Sequence, residues 1–345
     1  MEPPSESSLF NSPLQYPPPT LSLDATAMAP TPRLRVSSPH KRSLDSPSPP
    51  AQNVGASRPA KARKVQLISY EELPEWHQDN EYIRHGYRPI SGSARISFQS
   101  WWFIHNETVN IYSHLIPAIL FLLGEWYILE YLITRYPSIT GPDIFVFSFF
   151  LLCTVICYGL SVTYHTLMNH SNKVEKLWLR MDLVGITIYN LGAFTSGIYM
   201  IFWCEPVQRA IYWSMIGALG SMNIFIMVNP KFQTRKHRVF RTLVFAATAI
   251  SGFAPLIHGC VMFGVPLMLK QSGLPGYLAQ FFFLFLAAVV YGFKVPESRY
   301  PGKFDIWGSS HQLMHIFVTL AAISHLTGIV LAFEYSHDNR KCASH

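Results

Sequence analysis

Charged residues are scarce in this sequence of 345 residues. Only 14% are Asp, Glu, Lys or Arg, against about 25% in an ordinary soluble domain, while 49% are hydrophobic. A typical soluble globule is therefore disfavoured. The N-terminus has neither a basic region nor an apolar run, so no cleavable signal peptide is expected. The few cysteines are too apolar in setting to indicate a disulfide framework, and we interpret all five as small core residues: Cys153, Cys157, Cys204, Cys260 and Cys342.

Residues 1–68 differ in composition from the rest of the chain. They contain more than half of the 25 prolines and an excess of basic over acidic side chains, which favours disorder. Ser-Pro pairs at Ser38, Ser46 and Ser48 suggest cytoplasmic kinases as partners, although an inert linker explains the composition as well. The basic cluster Lys61, Arg63 and Lys64 favours contact with anionic lipid, and nucleic acid is not expected as a partner.

From Ile111 onward, long apolar stretches recur at lengths that fit the ~20 residues of a membrane-spanning helix. They predict an all-α integral membrane protein with seven transmembrane helices, in the plasma membrane or an endomembrane. The spans are expected at 113–134, 144–166, 182–203, 210–228, 240–263, 276–294 and 310–333.

The Lys and Arg residues that flank these spans predict their orientation, because short cytoplasmic segments carry an excess of both. The segments before, between and after the spans each hold one group of basic residues. Counted from the segment before the first span, the odd-numbered groups hold 14 basic residues and the even-numbered groups hold five. We therefore expect a cytoplasmic N-terminus and an extracellular or lumenal C-terminus, which is opposite to a G-protein-coupled receptor. The sequons at Asn106 and Asn169 then lie on the cytoplasmic side and should be unused.

This topology divides the chain into four parts. A disordered cytoplasmic tail (1–68) precedes a juxtamembrane segment (69–109), which includes a short interfacial helix around 94–105. The seven-helix bundle covers 110–335, and a short outer tail covers 336–345.

Two histidines near the start of the last span have the spacing of a metal site. His311 and His315 are four residues apart, which places their imidazoles on one helix face about 6 Å apart. His165 is predicted at the same depth, as is Asp182 at the start of the third span. Three histidines with an open fourth position are typical of catalytic zinc. The alternative is an ordinary pair of interfacial histidines at 311 and 315.

Other polar residues have weaker patterns. Asp182 is predicted to bond a water, accept its proton or orient a ligand imidazole, and Ser161 to bond the water or a substrate oxygen. A bond from Ser161 to its own helix backbone is an equal alternative. Helix capping and headgroup contact explain a stripe formed by Glu107, Asn110 and His114. Two further histidines are expected nearer the outer side and are excluded as ligands: His258 and His325.

Four segments together resemble the progestin and adipoQ receptor family, which includes adiponectin receptors, haemolysin-III-like proteins and fungal homologues linked to zinc and sterol homeostasis. The likeness extends from about Leu73 to Tyr335 and is closest to the adiponectin-receptor-like branch, with a fungal type of tail. The segments are Asp79–Pro89 (DNEYIRHGYRP), His105–His114 (HNETVNIYSH), Ser161–His165 (SVTYH) followed by Asp182, and His311–His315 (HQLMH).

The resemblance implies a helical bundle around a lipid-accessible cavity, with zinc held by His165, His311 and His315 and with Asp182 beside the zinc-bound water. It also implies ceramidase-type hydrolysis of a lipid amide, so ceramide or a related acyl amide is the expected partner and a fatty acid the product. Two alternatives stay open. One is a receptor with structural zinc and an unknown extracellular ligand, and the other is a protein of zinc or sterol homeostasis without hydrolase activity.

Overall fold

Helices form nearly all of the regular structure in the part of the chain described by this computed structural model, which comprises residues 66–233, 235–340 and 342. Within these ranges there is no β-strand, only an isolated bridge between Ile68 and Tyr87. The predictions of phosphorylation and lipid contact, and the prediction of disorder for residues 1–65, concern residues outside these ranges. Ile68, at the end of the predicted tail, pairs with Tyr87 of the juxtamembrane segment. The α-helices are α1 Ala94–Gln99, α2 Thr108–Arg135, α3 Gly141–Leu167, α4 Asn172–Ile201, α5 Pro206–Val228, α6 Arg238–Ser251, α7 Phe253–Phe263, α8 Val265–Gln271, α9 Leu274–Phe293 and α10 Ser310–Asn339.

Seven helical segments of the described chain are long and apolar enough to cross a membrane. They are α2, α3, α4, α5, the segment Leu243–Phe263 formed by α6 and α7, α9, and α10. The predicted fold class is confirmed, and the protein is a multi-pass integral membrane protein. The orientation of its termini stays a prediction.

The helices extend beyond the apolar stretches that predicted them. α4 begins at Asn172 rather than near 182, and α10 continues to Asn339 rather than ending near 333. Hydropathy marks the part of a helix that is apolar enough for the hydrocarbon layer, whereas backbone hydrogen bonds continue into the polar flanks. The fifth span also differs, because its helix is interrupted at Gly252 between α6 and α7.

Small residues let α3 and α4 approach closely. A Cβ atom built at Gly192 would lie 2.7 Å from the Cβ of Cys153, and one at Gly185 would lie 3.2 Å from the Cα of Cys157. Such contacts are typical of membrane helices, which gain stability from close packing rather than from the exclusion of water. Cys153 and Cys157 are buried free thiols at this interface, as expected for small core residues.

The juxtamembrane segment packs against one end of the bundle. Its own small apolar cluster contains Leu73, Ile83 and Tyr87, and α1 lies within the predicted interfacial helix. Trp102 is 88% exposed, whereas Trp101 donates from Nε1 to Thr166 Oγ1 at 2.9 Å. Trp101 thus joins the segment to the end of α3.

The interpretation of all five cysteines as core residues is wrong for one pair. Cys204 follows the end of α4, Cys342 follows the end of α10, and a disulfide joins them across 138 residues of sequence. Their proximity depends on where two long helices end, which local composition does not reveal. Disulfides persist in oxidising compartments, so this bond is compatible with the extracellular or lumenal C-terminus predicted from the basic residues.

Thiol labelling tests this pairing. We expect a maleimide reagent to modify three cysteines of the denatured, unreduced protein and all five after reduction, because Cys204 and Cys342 are blocked by their bond. Mass spectrometry of the intact chain counts the labels. With the disulfide, the unreduced variant Cys204→Ser should carry four labels, one more than the parent, because Cys342 is freed. Five labels on the unreduced parent, and therefore one fewer on the variant, would contradict the disulfide.

Candidate metal centre

Three imidazoles meet where the end of α3 lies against the start of α10. His165 is in the last turn of α3, and His311 and His315 occupy the first two turns of α10. Their possible ligand atoms all lie within 4.8 Å of one another, and the Nε2 atoms of His165 and His311 are 3.3 Å apart. The structure therefore brings together the histidines that orientation placed at one depth.

Hydrogen bonds orient two of these rings. Glu107, the N-cap residue of α2, accepts from Nδ1 of His165 at 2.8 Å, and Ser113 Oγ lies 3.0 Å from Nδ1 of His315. Asn110 donates to the same Glu107 oxygen at 2.7 Å. Because each Nδ1 is occupied, each Nε2 is left to face the shared point. This is the arrangement in which histidines bind metal.

The stripe on α2 is therefore not explained by capping and headgroup contact. Glu107 makes no side-chain capping bond, and Asn110 and His114 are buried. The His114 ring is stacked between Tyr158, at 4.5 Å between centroids, and His315, at 3.8 Å. The stripe belongs to the surroundings of the histidine triad, His165, His311 and His315. In the sequence, the spacing of three and four residues within the stripe indicated that these side chains share one helix face. The spacing alone does not identify the helices that this face meets.

Although burial opposes it, hydrogen bonds from His165 and Asn110 lower the pKa of the Glu107 carboxyl. Glu107 is therefore a carboxylate at neutral pH, and its negative charge lies directly behind the His165 ring. A carboxylate in this position makes an imidazole a stronger metal ligand.

A buried arginine of the juxtamembrane segment holds the end of α3. Arg88 donates to the carbonyl oxygens of His165 at 2.6 Å and Thr166 at 3.0 Å, and to Ser100 Oγ at 2.8 Å. The last carbonyl groups of a helix lack partners within the helix, so these bonds satisfy them. Burial lowers the pKa of Arg88 to about 10, which leaves it charged at neutral pH. Nothing in the sequence pattern indicated this contact.

The start of α10 is held by a buried carboxylate. Glu297 accepts from the Ser310 backbone N–H at 2.7 Å, from the Ser310 hydroxyl, and from Asn80 Nδ2 at 3.2 Å. Gln312 reaches across to donate to the carbonyl oxygen of Asn106 at 3.3 Å. The first turns of α10 are thereby fixed to the juxtamembrane segment, immediately beside His311.

Asp182 and Ser161, the predicted catalytic residues, lie on facing helices next to His165. The Asp182 carboxylate of α4 interacts with the Ser161 hydroxyl and with His165. On α3, Cys157, Ser161 and His165 are spaced by four residues and share the face that Asp182 opposes. The roles of Asp182 and Ser161 stay predictions.

A polar cavity of about 540 Å³ opens from the triad. His165, His311 and Glu107 form part of its wall, and the remainder comes from the juxtamembrane segment and from the ends of α3, α9 and α10. Charged side chains also line it, among them Asp79, Lys294 and Asp305. The cavity can accommodate water and other polar groups, because its lining offers hydrogen bonds and charge.

The two excluded histidines lie elsewhere. His258 Nδ1 is 3.0 Å from the Tyr212 hydroxyl, and His325 bonds Ser196 and Gln280. Among the residues that the structure describes, the triad is the group of His, Cys, Asp or Glu side chains close enough to share a metal ion.

Comparison with known proteins decides the family. A model described as "Haemolysin-III related" matches residues 102–326, from just before α2 into α10. The chain belongs to the haemolysin-III-related family. The match includes Glu107, the triad and Asp182, so the resemblance carried by the motifs is confirmed.

Individual relatives place the protein in the adiponectin-receptor-like part of the haemolysin-III-related family. Progestin and adipoQ receptor-like protein 1 of Caenorhabditis elegans is 38% identical over 76% of this chain and 60% of its own length. The Drosophila melanogaster adiponectin receptor protein is 36% identical over 76% of this chain and 59% of its own length. ADIPOR-like receptor IZH2 of Saccharomyces cerevisiae is 34% identical over 81% of this chain and 88% of its own length. The chain thus spans about three fifths of the worm and fly proteins and most of the fungal one.

Removing the carboxylate that holds α10 should destabilise this haemolysin-III-related protein. We expect Glu297→Ala to lower the free energy of unfolding by about 1–3 kcal/mol, because the buried Ser310 N–H loses its partner. Thermal unfolding in detergent measures the change. Glu334→Ala is a matched control on α10, since Glu334 accepts an exposed bond from Tyr131 and should cost less than about 0.5 kcal/mol. Equal losses would contradict the role of Glu297.

Proposed function

We propose that His165, His311 and His315 bind a zinc ion. The observation that carries the proposal is the combination of converging ligand atoms with occupied Nδ1 atoms on two of the three rings. The 3.3 Å between two Nε2 atoms is close to the spacing of two nitrogens that each lie about 2.0–2.1 Å from one tetrahedral zinc. Three imidazole ligands leave a fourth position for substrate or water, which is typical of catalytic sites.

The reaction that the site supports best is hydrolysis of a lipid amide of the ceramide class. When bound, zinc would lower the pKa of a coordinated water and polarise the amide carbonyl. In this proposal Asp182 accepts a proton from the attacking water, while Ser161 bonds the water or the carbonyl oxygen. Formation of the new C–O bond and rupture of the C–N bond release a fatty acid, and Asp182 returns its proton to the departing amine.

The surroundings of the triad support a substrate with one polar and one apolar end. The polar cavity of about 540 Å³ suits an amine or hydroxyl headgroup and supplies the water that hydrolysis consumes. The membrane-spanning helices expose many large apolar side chains, so an acyl chain can remain among these segments. Glu107 and Arg88 keep His165 in place during the reaction through bonds that involve neither substrate nor water.

A receptor with structural zinc is the second candidate. The relatives in worm, fly and yeast carry the word receptor in their names. In such a protein the triad would hold α3 against α10, and an extracellular ligand or a lipid would change the arrangement of the cytoplasmic ends. Asp182 would then have no chemical task, which distinguishes the two candidates.

Metal analysis tests the zinc site. We expect about one zinc per purified chain and loss of that zinc in His165→Ala. Glu107→Ala should weaken zinc binding by about 10–100-fold, because the His165 ring loses the carboxylate that orients it. Competition with a chelator, followed by elemental analysis, measures both. His258→Ala is the control, since that histidine bonds Tyr212 away from the triad and should leave zinc content unchanged. Retention of zinc in His165→Ala would refute the site.

Fatty acid release tests the hydrolase. Zinc-loaded protein in lipid nanodiscs should release fatty acid from ceramide, and Asp182→Asn should lower the rate by about 10²–10⁴-fold while zinc content stays constant. Asparagine keeps the shape of the side chain but does not accept the proton. Mass spectrometry of the lipid extract gives the rate. If the wild-type protein releases no fatty acid from ceramide or related amides, the enzyme proposal fails. If Asp182→Asn is as active as the wild type, its role as base fails.

A further inference from the structure

A second cluster of buried polar side chains lies inside the bundle, away from the histidine triad. Nδ1 of His325 is 2.9 Å from Gln280 Oε1, and its Nε2 is 2.8 Å from Ser196 Oγ. Gln280 in turn donates to the Tyr189 hydroxyl at 3.1 Å. His325 is ten residues beyond His315 on α10, which is about 15 Å along the helix. Polar side chains at such a depth are costly and are usually retained for function.

One polar group beside this cluster, the hydroxyl of Tyr277, lacks a hydrogen-bond partner among the described residues. Tyr277 is only 3% exposed and its ring stacks on that of His325, yet its hydroxyl makes no hydrogen bond within the described residues. An unpaired buried hydroxyl destabilises a folded protein, because the group has left water without replacing the bond it made there. Phenylalanine would fill the same space without this cost. The hydroxyl of Tyr277 therefore points to a bonding partner from outside the chain.

The hydroxyl adjoins a crevice between α4, α7 and α9. A Cβ atom built at Gly197 would lie 3.6 Å from the Tyr277 oxygen and 3.7 Å from Cε1 of His325, so the absence of a side chain at 197 leaves space beside both rings. Phe194, Leu256 and Phe281 are among the apolar residues of the wall. Among the described residues, the polar ones that line the crevice are Tyr277, Gln280 and His325, and none of the lining residues is Asp, Glu, Lys or Arg.

Size and charge together define the ligand. The crevice has a volume of about 30 Å³, which is room for two or three water-sized groups. This small volume favours the end of a single chain over a fused ring or a phosphate headgroup, and an ion would find no opposite charge among the lining residues that the structure describes. The end of a single unbranched chain does fit, and a hydroxyl at that end both donates to and accepts from its neighbours. Phe253 of α7 is exposed and stacks at 4.3 Å on Phe281 of the crevice wall, so it offers an apolar surface to the rest of the chain.

We propose that this crevice binds the terminal hydroxyl of a long-chain primary alcohol, which bonds Tyr277 between α4, α7 and α9. The site is separate from the histidine triad and does not depend on the proposed hydrolase activity. Occupation of the site gives the Tyr277 hydroxyl the partner that it lacks among the described residues. It therefore stabilises the bundle where the fifth span is interrupted, since Gly252 also lines the crevice.

Thermal unfolding of the full chain in phosphatidylcholine nanodiscs, with 1-hexadecanol or hexadecane added, tests the proposal. We expect 1-hexadecanol to raise the unfolding temperature of the wild type more than hexadecane does. Tyr277→Phe should unfold at a higher temperature than the wild type without additive, because it lacks the unpaired hydroxyl, and should bind 1-hexadecanol about fivefold more weakly. The substitution therefore raises the unfolding temperature of the protein without additive and lowers its affinity for the alcohol. Replacement of a purely structural tyrosine would not produce this combination.

Two further variants keep the test decisive. Gly197→Ala adds a methyl group at ordinary contact distance and should fold normally while losing the response to the alcohol. Tyr189→Phe is the control, because its hydroxyl is already bonded to Gln280; it should lower the unfolding temperature and keep the response. The proposal is overturned if hexadecane and 1-hexadecanol act equally on the wild type, which would leave the crevice to water or lipid tails. It is also overturned if both Tyr277→Phe and Gly197→Ala respond as the wild type does.

Discussion

A polar side chain inside a membrane-spanning bundle has little water to bond with, so it depends on a partner from a neighbouring helix. This constraint orders the interior of the protein. At one depth, Glu107 at the cap of α2 bonds His165 of α3 and accepts a bond from Asn110. At the same depth, Ser113 of α2 bonds His315 of α10. At another depth, Ser196 of α4, Gln280 of α9 and His325 of α10 satisfy one another. Apolar contacts fill the space between, but these polar contacts define which helix faces which.

The juxtamembrane segment acts as a scaffold for helix ends. Arg88 bonds the end of α3, Asn80 and Glu297 hold the start of α10, and Asp305 accepts from the backbone N–H groups of Arg84 and His85. The segment therefore fixes the two helices that carry the triad relative to each other. The sequence predicted only a short interfacial helix in this segment, whereas its Arg88 is buried, with 3% of its surface exposed.

The sequence predicted the features that depend on local composition. Apolar length revealed seven spans, and the alternation of basic residues placed His165, His311 and His315 at one depth before any contact was known. It did not predict the pairing of Glu107 with His165, or that of Glu297 with Ser310, because a hydrophobic pattern identifies a helix but not the neighbour that each face meets. The Cys204–Cys342 bond was missed for the same reason. The start of α4 and the end of α10 lie beyond the apolar cores of these helices, where hydropathy carries no signal.

The helix that carries two of the three triad histidines is secured at both ends. Its first turn is bonded to Glu297, and the residue two positions after its C-cap is joined covalently to the link between α4 and α5. A sliding motion of α10 along its own axis would have to stretch one of these attachments. A signal that passes along this helix from one membrane face to the other would accordingly take the form of rotation or tilt rather than a piston stroke, and either motion changes the directions of His311 and His315 together.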